Sequence, residues 1–590
     1  MKLYNSIVVF TTILFLSACT SQPIIQSDNS NVLLEKSNSS TKQIIKCESL
    51  PISGVCTMKN TYTANSSFYI FGDILASDAI YENGGVKIDG SGKIEDVGCL
   101  TPSITDVVIS CPNKVVSPGL INPHDHLNYN QNFPGGQNNK NSQGKISNPN
   151  YLLCNDPKEM YSNKLCTNYR YDRRNEWRKG LKGKPEILAP WGGTGQKKAW
   201  NELRHVMSGV TTVAGSGGQI GLVRNPDVTD LMEGLIIPDN KYVDYDTFPL
   251  GDTKDVTGHN LGDCAYPNVV TTSVLDNLIF LPHVAEGINE FAENELKCLS
   301  GQGIGSVNVE ASNSSFIHGI ASGPVDAKQA KDAGMTFIWS PRSNISLYGN
   351  TAQVMMYDNL GLRLALSSDW TPSGSINMQR ELACASSFNE KYLNNHFSQQ
   401  HLWEMVTINA ARALGIDDQV GKIEKGYWAD IAIYNRVGYD SYYDPIINGG
   451  VQDLTLVLRA GIPLYGQEPA INFMDVSNDC EILPVNLQCG FNKKVCVKET
   501  GYKLSELILE NNDSYPLAFC EPPKDEPTCA PSRYQEYSGT KTSNDFDGDG
   551  ILDVNDNCPY VFNPIRPMDK SIQPDYNGNG IGDACDLNPL

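Results

Sequence analysis

The chain has 590 residues, too many for one compact core, and 40% of them are hydrophobic, an ordinary fraction for a globular protein. Its formal net charge of −21 at pH 7 argues against nucleic acid or an anionic membrane surface as a partner. We therefore expect roughly two to four folded units, with their function carried by local motifs.

The N-terminus predicts export. A short basic start precedes an apolar run at residues 6–16 that is too short to span a bilayer, and LSAC follows, ending at Cys19. This pattern resembles the lipobox of bacterial lipoproteins, which implies a signal peptide at residues 1–19 and a lipid anchor on Cys19. Because Thr20 rather than Asp follows, the resemblance favours the outer membrane, on its periplasmic or cell-surface face. The alternative is an ordinary signal peptide with a chance cysteine. The polar residues 20–45 predict a flexible tether.

The cysteines predict disulfides, because seventeen of them occur in a chain with an export signal. Zinc knuckles are excluded since no CxxC pair occurs. Near neighbours are the expected partners, although sequence does not fix connectivity. The expected pairs are Cys47 with Cys56, Cys99 with Cys111, Cys154 with Cys166, Cys264 with Cys298 and Cys558 with Cys585, beside a cluster from Cys480 to Cys529. Cys384 has no near partner.

Short alternating strands and turn signals occupy residues 66–116 and return at residues 416–468. Residues 117–415 alternate strand and helix patterns, which is typical of βα units, and their number suits a (β/α)8 TIM barrel. The apolar run that starts at Gly234 is one predicted barrel strand, and residues 128–191 form a long loop after the first strand. Residues 471–535 are a cysteine-rich segment, and residues 544–590 a separate Asp, Asn and Gly module.

The stretch VVSPGLINPHDHLNYN at residues 115–130 predicts a buried strand that ends in two metal-binding side chains. His124 and His126 are two residues apart, so in a strand they point the same way and can hold one ion between them. Later strand ends carry His283, His318 and Asp369, at the end of a barrel where active sites lie. Nitrogen and oxygen ligands suit zinc or iron with an open position for water. An HxH pair alone can occur by chance in a strand. The three later residues favour a metal site over that alternative.

Several motifs resemble the amidohydrolase superfamily. VVSPGLINPHDH is similar to its PGxIxxHxH signature, and HVAEG, FIHG, SPRSN and ALSSD follow in the order of its later barrel motifs. The resemblance covers roughly residues 66–468 and is closest to the cytosine deaminase, chlorohydrolase and imidazolonepropionase group. It implies an α/β fold in which a (β/α)8 barrel carries a small β-sandwich built from both flanks. It also implies one divalent metal, zinc or iron, whose ligands are His124, His126, His283 and Asp369.

The same resemblance implies the catalytic roles. Asp369 would orient a water and accept its proton, His318 would stabilise the tetrahedral centre, and Glu286 would pass the proton to the leaving nitrogen. The alternatives are a solvated carboxylate for Glu286 and a core histidine for His318. A second metal would need a bridging lysine before the fifth strand, for which Lys241 and Lys254 are the candidates. Other residues placed to face the pocket are Asn128, Tyr129, Arg342, Asn344 and Trp370.

The C-terminal module repeats the ligand plan of a calcium loop at residues 545–556 and 575–586. It resembles thrombospondin type 3 repeats, which implies bound calcium and a bridge between Cys558 and Cys585. A true EF-hand is disfavoured because amphipathic helices do not flank the loops, and the remaining alternative is a disordered acidic tail. The implied ligands are Asp545, Asp547, Asp549, Ile551, Asp553, Asp556, Asp575, Asn577, Asn579, Ile581, Asp583 and Asp586.

Together these features predict an exported, lipid-anchored, metal-dependent hydrolase of a small molecule. The bond cleaved would be a carbon–nitrogen bond other than a peptide bond, in a cyclic amide, an amidine or an aminated heterocycle. One alternative is a dipeptidase or acyl-amide hydrolase on the same fold. The other is a surface-binding lipoprotein that depends on calcium and whose barrel is degenerate.

Overall fold

The computed structural model describes residues 42–48, 50, 55–140, 148–190, 192–237, 241–251 and 261–590. The predicted signal peptide, Cys19 and most of the predicted tether lie outside these residues. Lipid anchoring and an outer-membrane location therefore stay predictions, and incorporation of labelled palmitate at Cys19 would test the anchoring. Within the described ranges, helices are either too short or too polar to cross a bilayer.

Strands and helices follow in chain order. The strands are β1 (Gln43–Lys46), β2 (Thr57–Lys59), β3 (Phe68–Leu75), β4 (Ala79–Ile88), β5 (Ile94–Gly98), β6 (Val107–Pro118), β7 (Leu120–Asn122), β8 (Val210–Val213), β9 (Tyr242–Asp246), β10 (Leu278–Val284), β11 (Ser315–His318), β12 (Thr336–Trp339), β13 (Arg363–Leu366), β14 (Ile431–Asn435), β15 (Leu454–Arg459), β16 (Ile462–Gln467), β17 (Glu481–Ile482) and β18 (Lys493–Val495). The helices are α1 (Tyr151–Cys154), α2 (Pro157–Ser162), α3 (Arg174–Lys179), α4 (Gly195–Val206), α5 (Val274–Asn277), α6 (Glu290–Leu299), α7 (Pro324–Asp332), α8 (Pro341–Tyr348), α9 (Val354–Asn359), α10 (Met378–Tyr392), α11 (Gln399–Met405), α12 (Ile408–Ala413), α13 (Asp444–Ile447), α14 (Glu468–Met474) and α15 (Leu504–Glu510).

One mixed sheet joins strands from both flanks of the central segment. Its order is β1-β4-β3-β6-β14-β15-β16-β18-β17, with β2 beside β6 and β5 beside β4. β6 and β14 pair antiparallel with Pro118 opposite Ile431, so the two flanks meet directly before the first site strand. Alternation along the strands buries Ile70, Ile109 and Ile433 in its core. The sheet also takes up residues 43–45, where a flexible tether was predicted wrongly, because β1 pairs with β4.

Parallel strands position the candidate site. β9 to β13 form a five-stranded parallel sheet, and β7 and β8 form a parallel pair. The two are connected at their C-terminal ends, where the His126 N–H donates to the Asp369 carbonyl at 2.9 Å. Buried side chains from successive strands, such as Ile121, Leu281 and Ile338, fill the space they enclose. Strand pairing in the described residues does not join β8 to β9, so closure of an eight-stranded barrel stays a prediction.

One predicted barrel strand is displaced. The apolar run from Gly234 forms no strand in its described part, and Ile236 is 73% exposed while its neighbours pack inward. The strand is β9 instead, which pairs with β10. Sequence patterns missed it because YVDYD has only Val243 as an apolar inward residue.

Two segments outside the parallel strands cover their C-terminal ends. The predicted loop after β7 contains α1, α2 and α3, and Trp177 and Ile187 pack there against Trp370. Arg533, from the end of the cysteine-rich segment, donates to the carbonyls of Tyr171 and Tyr348 at 3.1 and 2.9 Å. These two hydrogen bonds connect the segment that contains α1, α2 and α3 to the end of α8.

The C-terminal module contacts two loops that leave the parallel strands. Arg566 is buried, is paired with Asp569 through two hydrogen bonds of 2.9 and 3.0 Å, and donates to the Ile320 carbonyl at 3.1 Å. The Met568 N–H donates to the Ile288 carbonyl at 3.3 Å. These carbonyls lie two residues beyond candidate site residues in each loop, so the module is packed against the site's supporting loops.

Disulfides link the described cysteines, and three predicted pairs are confirmed, Cys154–Cys166, Cys264–Cys298 and Cys558–Cys585. The first two expected pairs are wrong, since the bridges are Cys47–Cys99 and Cys56–Cys111. Their cause is strand pairing: β1 and β5 share β4, while Thr57 lies opposite Ser110 and so sets Cys56 beside Cys111. The other bridges are Cys384–Cys529, Cys480–Cys496 and Cys489–Cys520.

The bridge that the sequence did not suggest, Cys384–Cys529, is expected to contribute strongly to stability. It closes 145 residues, whereas Cys154–Cys166 closes 12. Replacing both cysteines of a bridge with alanine should lower the free energy of unfolding by about 5 kcal/mol for the long loop and about 3 kcal/mol for the short one, from loop-closure entropy. Calorimetric unfolding of the two double variants measures this, and an equal or smaller loss for Cys384–Cys529 would contradict it.

Candidate active site

Four side chains named as metal ligands converge at the C-terminal ends of the parallel strands. Ligand atoms of His124, His126 and His283 all lie within 4.8 Å of one another, as do those of His124, His318 and Asp369. Asp369 Oδ1 lies 3.1 Å from His124 Nε2 and 3.3 Å from His126 Nε2. The strand-end histidines and the aspartate are therefore brought together as predicted from their positions.

These residues fit a divalent metal. Ligands at 2.0–2.1 Å from a tetrahedral ion are separated by about 3.4 Å, close to the distances that Asp369 Oδ1 makes. His283 Nδ1 lies 3.1 Å from the Asp246 carbonyl, which favours a proton on that nitrogen and leaves Nε2 bare. His283 Nε2 is buried and has no hydrogen-bond partner among the described residues. A bare, buried imidazole nitrogen beside other ligand atoms is what a metal site requires.

Asp125, between the two histidines, fixes the HxH turn from behind. Its carboxylate is fully buried and accepts from Asn122 Nδ2 at 3.0 Å, Ser368 Oγ at 2.8 Å and Asn130 Nδ2 at 2.6 Å. His205 is buried, and its Nε2 lies 3.1 Å from Asp125 Oδ2. Because Ser368 precedes Asp369, this network holds the end of β7 opposite the end of β13.

Two site residues have left-handed backbones. His318 has φ 73° and Asp369 has φ 60°, values that non-glycine residues rarely adopt. Such a conformation costs about 1–3 kcal/mol and persists only where surrounding structure enforces it. His318 is the last residue of β11 and Asp369 lies three residues beyond the end of β13, so the turn at each strand end aims the side chain into the site.

Glu286 lies in the site and is not a solvated loop carboxylate. It is 4% exposed, its Oε1 accepts from Tyr348 Oη at 2.7 Å, and Tyr348 Oη in turn accepts from Trp177 Nε1 at 3.0 Å. Glu286 Oε2 lies 3.8 Å from His318 Nε2. Burial raises the pKa of Glu286 to about 8. A carboxyl that keeps its proton near neutral pH is suited to proton transfer.

His318 is buried beside the histidine ligands, and burial lowers its pKa to about 3. It therefore stays neutral at ordinary pH in this structure. Its Nδ1 lies 3.1 Å from Asn344 Nδ2. A neutral His318 can act through a hydrogen bond and not through a positive charge.

Asp369 is held by a second set of hydroxyl groups. Ser343 Oγ donates to Asp369 Oδ2, Ser373 Oγ lies 2.8 Å from Ser343 Oγ, and Trp370 Nε1 donates to Ser373 Oγ. An indole N–H can only donate, so it sets the direction of donation along this chain. The chain leaves Asp369 Oδ1 facing the histidines.

Tyr245 is a site residue that the sequence reasoning missed. Its ring lies 5.3 Å from that of His124, and its Oη is 2.6 Å from His126 Nδ1. It occupies the strand before β10, where a bridging lysine was sought. Lys241 instead donates to the Leu275 carbonyl at 3.2 Å, and Lys254 lies outside the described residues. The period-two pattern of YVDYD was the signal that could have found Tyr245.

A cavity of about 440 Å³ lies over these groups. Tyr129 and Trp370 line it, as expected, whereas Asn128 donates to the Ser216 carbonyl and Asn344 lies behind His318. Arg342 points elsewhere, donating to Ser375 Oγ at 2.6 Å and to the Pro527 carbonyl. The aromatic lining consists of Tyr129, Trp177, Phe248 and Trp370, and the charged lining beyond the site residues consists of Lys140, Arg178 and Glu186.

The two acidic loops share one hydrogen-bond plan. Asp545 accepts from the N–H groups of Gly548 and Gly550, and Asp575 accepts from the matching glycines of the second loop. Carboxylate oxygens of Asp545, Asp547 and Asp549 lie within 4.8 Å of one another, and Asp547 Oδ2 is buried with no partner among the described residues. Burial and the neighbouring carboxylates raise the pKa of Asp547 to about 8. The first loop therefore fits a cation.

Comparison with known proteins gives matches to two protein families. The model of the Amidohydrolase family matches residues 307–478, and that of the Thrombospondin type 3 repeat matches residues 541–566. The imidazolonepropionase of Bacillus velezensis is 24% identical over 395 residues, which cover 62% of this chain and 84% of the relative. A 5-methylthioadenosine/S-adenosylhomocysteine deaminase of Clostridium tetani is 29% identical over 143 residues, 24% of this chain and 33% of the relative.

A solved structure gives a weaker likeness. The zinc-bound adenosine deaminase of Xanthomonas campestris has a TM-score of 0.43 and 14% identity over 68% of this chain and 92% of that protein. A score this low does not indicate a shared function. Residues 307–478 thus resemble the Amidohydrolase family. Together with the sequence relatives, this match confirms the prediction of a hydrolase acting on carbon–nitrogen bonds other than peptide bonds.

Proposed function

We propose that this chain is a metal-dependent hydrolase that cleaves a carbon–nitrogen bond in a cyclic amide, an amidine or an aminated heterocycle. The observation that carries the proposal is the convergence of six side chains, five of which line one cavity while His124 lies beside them. The six are His124, His126, His283, Asp369, Glu286 and His318. The relatives named as an imidazolonepropionase and a deaminase are in keeping with it. A complete set of this kind is not expected of a degenerate barrel.

The donor set would hold one divalent ion, with zinc or iron favoured by three imidazole nitrogens and a carboxylate. When bound, such an ion supplies a Lewis acid and a water of lowered pKa. Tyr245 fills the position beside His126 and His124 where a second ion would need a ligand, which supports a mononuclear centre.

The protein's own groups can carry the proton and stabilise developing charge. Ser343 Oγ donates to Asp369 Oδ2 and holds the carboxylate beside the histidines, where it can orient a water and take its proton. Glu286, protonated near neutral pH and 3.8 Å from His318, is placed to give a proton to a leaving nitrogen. His318 can donate a hydrogen bond to an oxygen or nitrogen that gains charge.

The cavity lining favours a flat substrate. Four aromatic side chains face a space of about 440 Å³, and Trp370 lies 5.5 Å from the His126 ring and 5.4 Å from the Trp177 ring. Aromatic faces stack on planar rings more readily than on flexible chains. A planar heterocycle is therefore a better fit than an extended dipeptide.

Metal analysis and a substrate panel test the proposal together. Purified full-length protein should contain about one zinc or iron per chain beyond any calcium, and should hydrolyse members of a panel of cyclic ureides, cyclic amidines and aminated heterocycles. Dipeptides serve as the contrasting class, and chelator treatment followed by zinc should remove and restore activity. A chain purified under metal-replete conditions with an empty site, or with activity on dipeptides alone, would overturn the proposal.

We also propose that the first acidic loop binds calcium. Raised pKa values of Asp547, to about 8, and Asp549, to about 7, mean that the folded loop resists ionisation, mainly through burial. Without calcium, stability contributed by these groups should therefore fall as pH rises from about 4 through these pKa values. Calcium should remove that dependence and, at 100 times its dissociation constant, stabilise the folded state by about 2.7 kcal/mol. Thermal unfolding with calcium or a chelator measures this for the wild type and Asp547→Asn; a calcium response unchanged in the variant would contradict it.

A further inference from the structure

We propose that Asn344 is a positioning residue that fixes the tautomer of His318, so that His318 acts as a neutral hydrogen-bond donor through its Nε2–H. The inference rests on the proposed function, because it assigns the direction of one hydrogen bond in that site. Asn344 was expected to face the pocket, but it lies behind His318 and contacts the ring nitrogen that points away from the cavity.

A chain of hydrogen bonds runs from Trp339 through Thr351 and Asn344 to His318. The direction of donation along it is set at Trp339, because an indole nitrogen can only donate. Trp339 Nε1 donates to Thr351 Oγ1 at 2.7 Å. The Thr351 hydroxyl hydrogen is then directed to Asn344 Oδ1, which lies 3.3 Å away. All three residues are buried, so bulk water does not offer them substitute partners.

With its oxygen engaged by Thr351, Asn344 must present its amide N–H group to His318. Asn344 Nδ2 lies 3.1 Å from His318 Nδ1, and this nitrogen has to accept. A neutral imidazole that accepts at Nδ1 carries its proton on Nε2. That nitrogen is the one 3.8 Å from Glu286 Oε2, on the side of the reacting groups.

The opposite arrangement is disfavoured. A proton on His318 Nδ1 would face the amide N–H group of Asn344, and turning the amide would set that group towards Thr351. The Thr351 hydroxyl hydrogen would then lose its acceptor among the described contacts, in a place where an unmade hydrogen bond is costly. The hydrogen-bond chain from Trp339 thus selects the tautomer of His318 that carries its proton on Nε2.

Nitrogen NMR of the zinc-loaded, 15N-histidine-labelled full chain tests the inference without a substrate. The shifts of the two ring nitrogens distinguish a protonated nitrogen from a bare one, and His318 is identified among the eight histidines by the signals lost in His318→Gln. We expect the wild type at pH 7 to carry the proton on Nε2 alone. A proton on Nδ1 in the wild type would overturn the inference.

Three variants separate positioning from general support. Asn344→Asp offers only acceptors, so it should draw a proton to Nδ1 and lower kcat by about 10²-fold with a smaller change in KM. Thr351→Val releases the amide and should mix the tautomers, whereas Thr351→Ser keeps the hydroxyl and should restore the wild-type spectrum. Unchanged ring-nitrogen shifts in both Asn344→Asp and Thr351→Val would overturn the inference. Correct shifts in a protein that hydrolyses nothing in the panel would instead count against the proposed function.

Discussion

Replacing Glu286 with glutamine is expected to lower kcat by about 10²–10⁴-fold, the usual contribution of a positioned acid or base, while metal content stays unchanged. The amide keeps the size and the hydrogen bond from Tyr348 Oη but cannot release a proton to a leaving nitrogen. Steady-state kinetics on a substrate found in the panel, together with metal analysis of the same sample, measures both parts. Full activity in Glu286→Gln would remove this residue from the mechanism.

The pH profile adds a signature for the same group. Burial raises the pKa of Glu286 from 4.5 to about 8, and a bound cation would lower it again. The pH at which kcat decreases on the alkaline limb of the profile should therefore lie between these two values. If the protonated form is the proton donor, kcat falls as pH rises through that pKa, and Glu286→Gln should lack this limb. Tyr348→Phe is the matched control, because it keeps the carboxyl and should shift the limb without abolishing it.

Replacing His283 with alanine is expected to empty the metal site and lower kcat/KM by about 10³-fold or more, equivalent to at least about 4 kcal/mol of transition-state stabilisation. His283 supplies a bare nitrogen oriented by the Asp246 carbonyl, and the flanking HxH pair cannot replace it. Metal content by mass spectrometry and kinetics should fall together.

The control for this variant is another histidine on the same chain. His401→Gln changes a side chain in α11 that lies 3.6 Å from Asp358 and does not line the cavity. It should retain metal and activity. A His283→Ala protein that still holds one tightly bound ion would show that the ligand set is wrong.

The sequence predicted which histidines and which aspartate would meet, because strand geometry sets the direction of their side chains. His124 and His126 share a face by spacing alone, and His283 and Asp369 close apolar runs whose C-terminal ends meet in parallel sheets. The sequence did not predict Tyr245 as a site residue, because β9 has too few apolar residues for its pattern to indicate a buried strand. Tyr348 and Ser343 were not predicted either, because their hydrogen bonds to Glu286 and Asp369 join residues that are distant in sequence.

Disulfide pairing and the surroundings of the pocket show the same limit. Cys47 and Cys99 meet because two strands share an edge of β4, which distance along the chain does not reveal. Arg342 was expected in the pocket, yet the cysteine-rich segment offers it the Pro527 carbonyl and Glu526 at 3.3 Å. Periodicity describes one strand or helix at a time, whereas these contacts follow from how separate segments pack.

Arg566 and Met568 contact the loops that follow Glu286 and His318, and these contacts bear on the cooperativity of unfolding. The Arg566 guanidinium is buried. Asp569 lies in the same module but the Ile320 carbonyl does not, so separating the module from the parallel strands would remove one hydrogen-bond partner of a buried charge. The module and the loops beyond Glu286 and His318 should therefore unfold in one transition, and a ligand of the acidic loop would also stabilise the candidate site against unfolding. In this molecule the repeats are part of the enzyme's scaffold rather than an appendage.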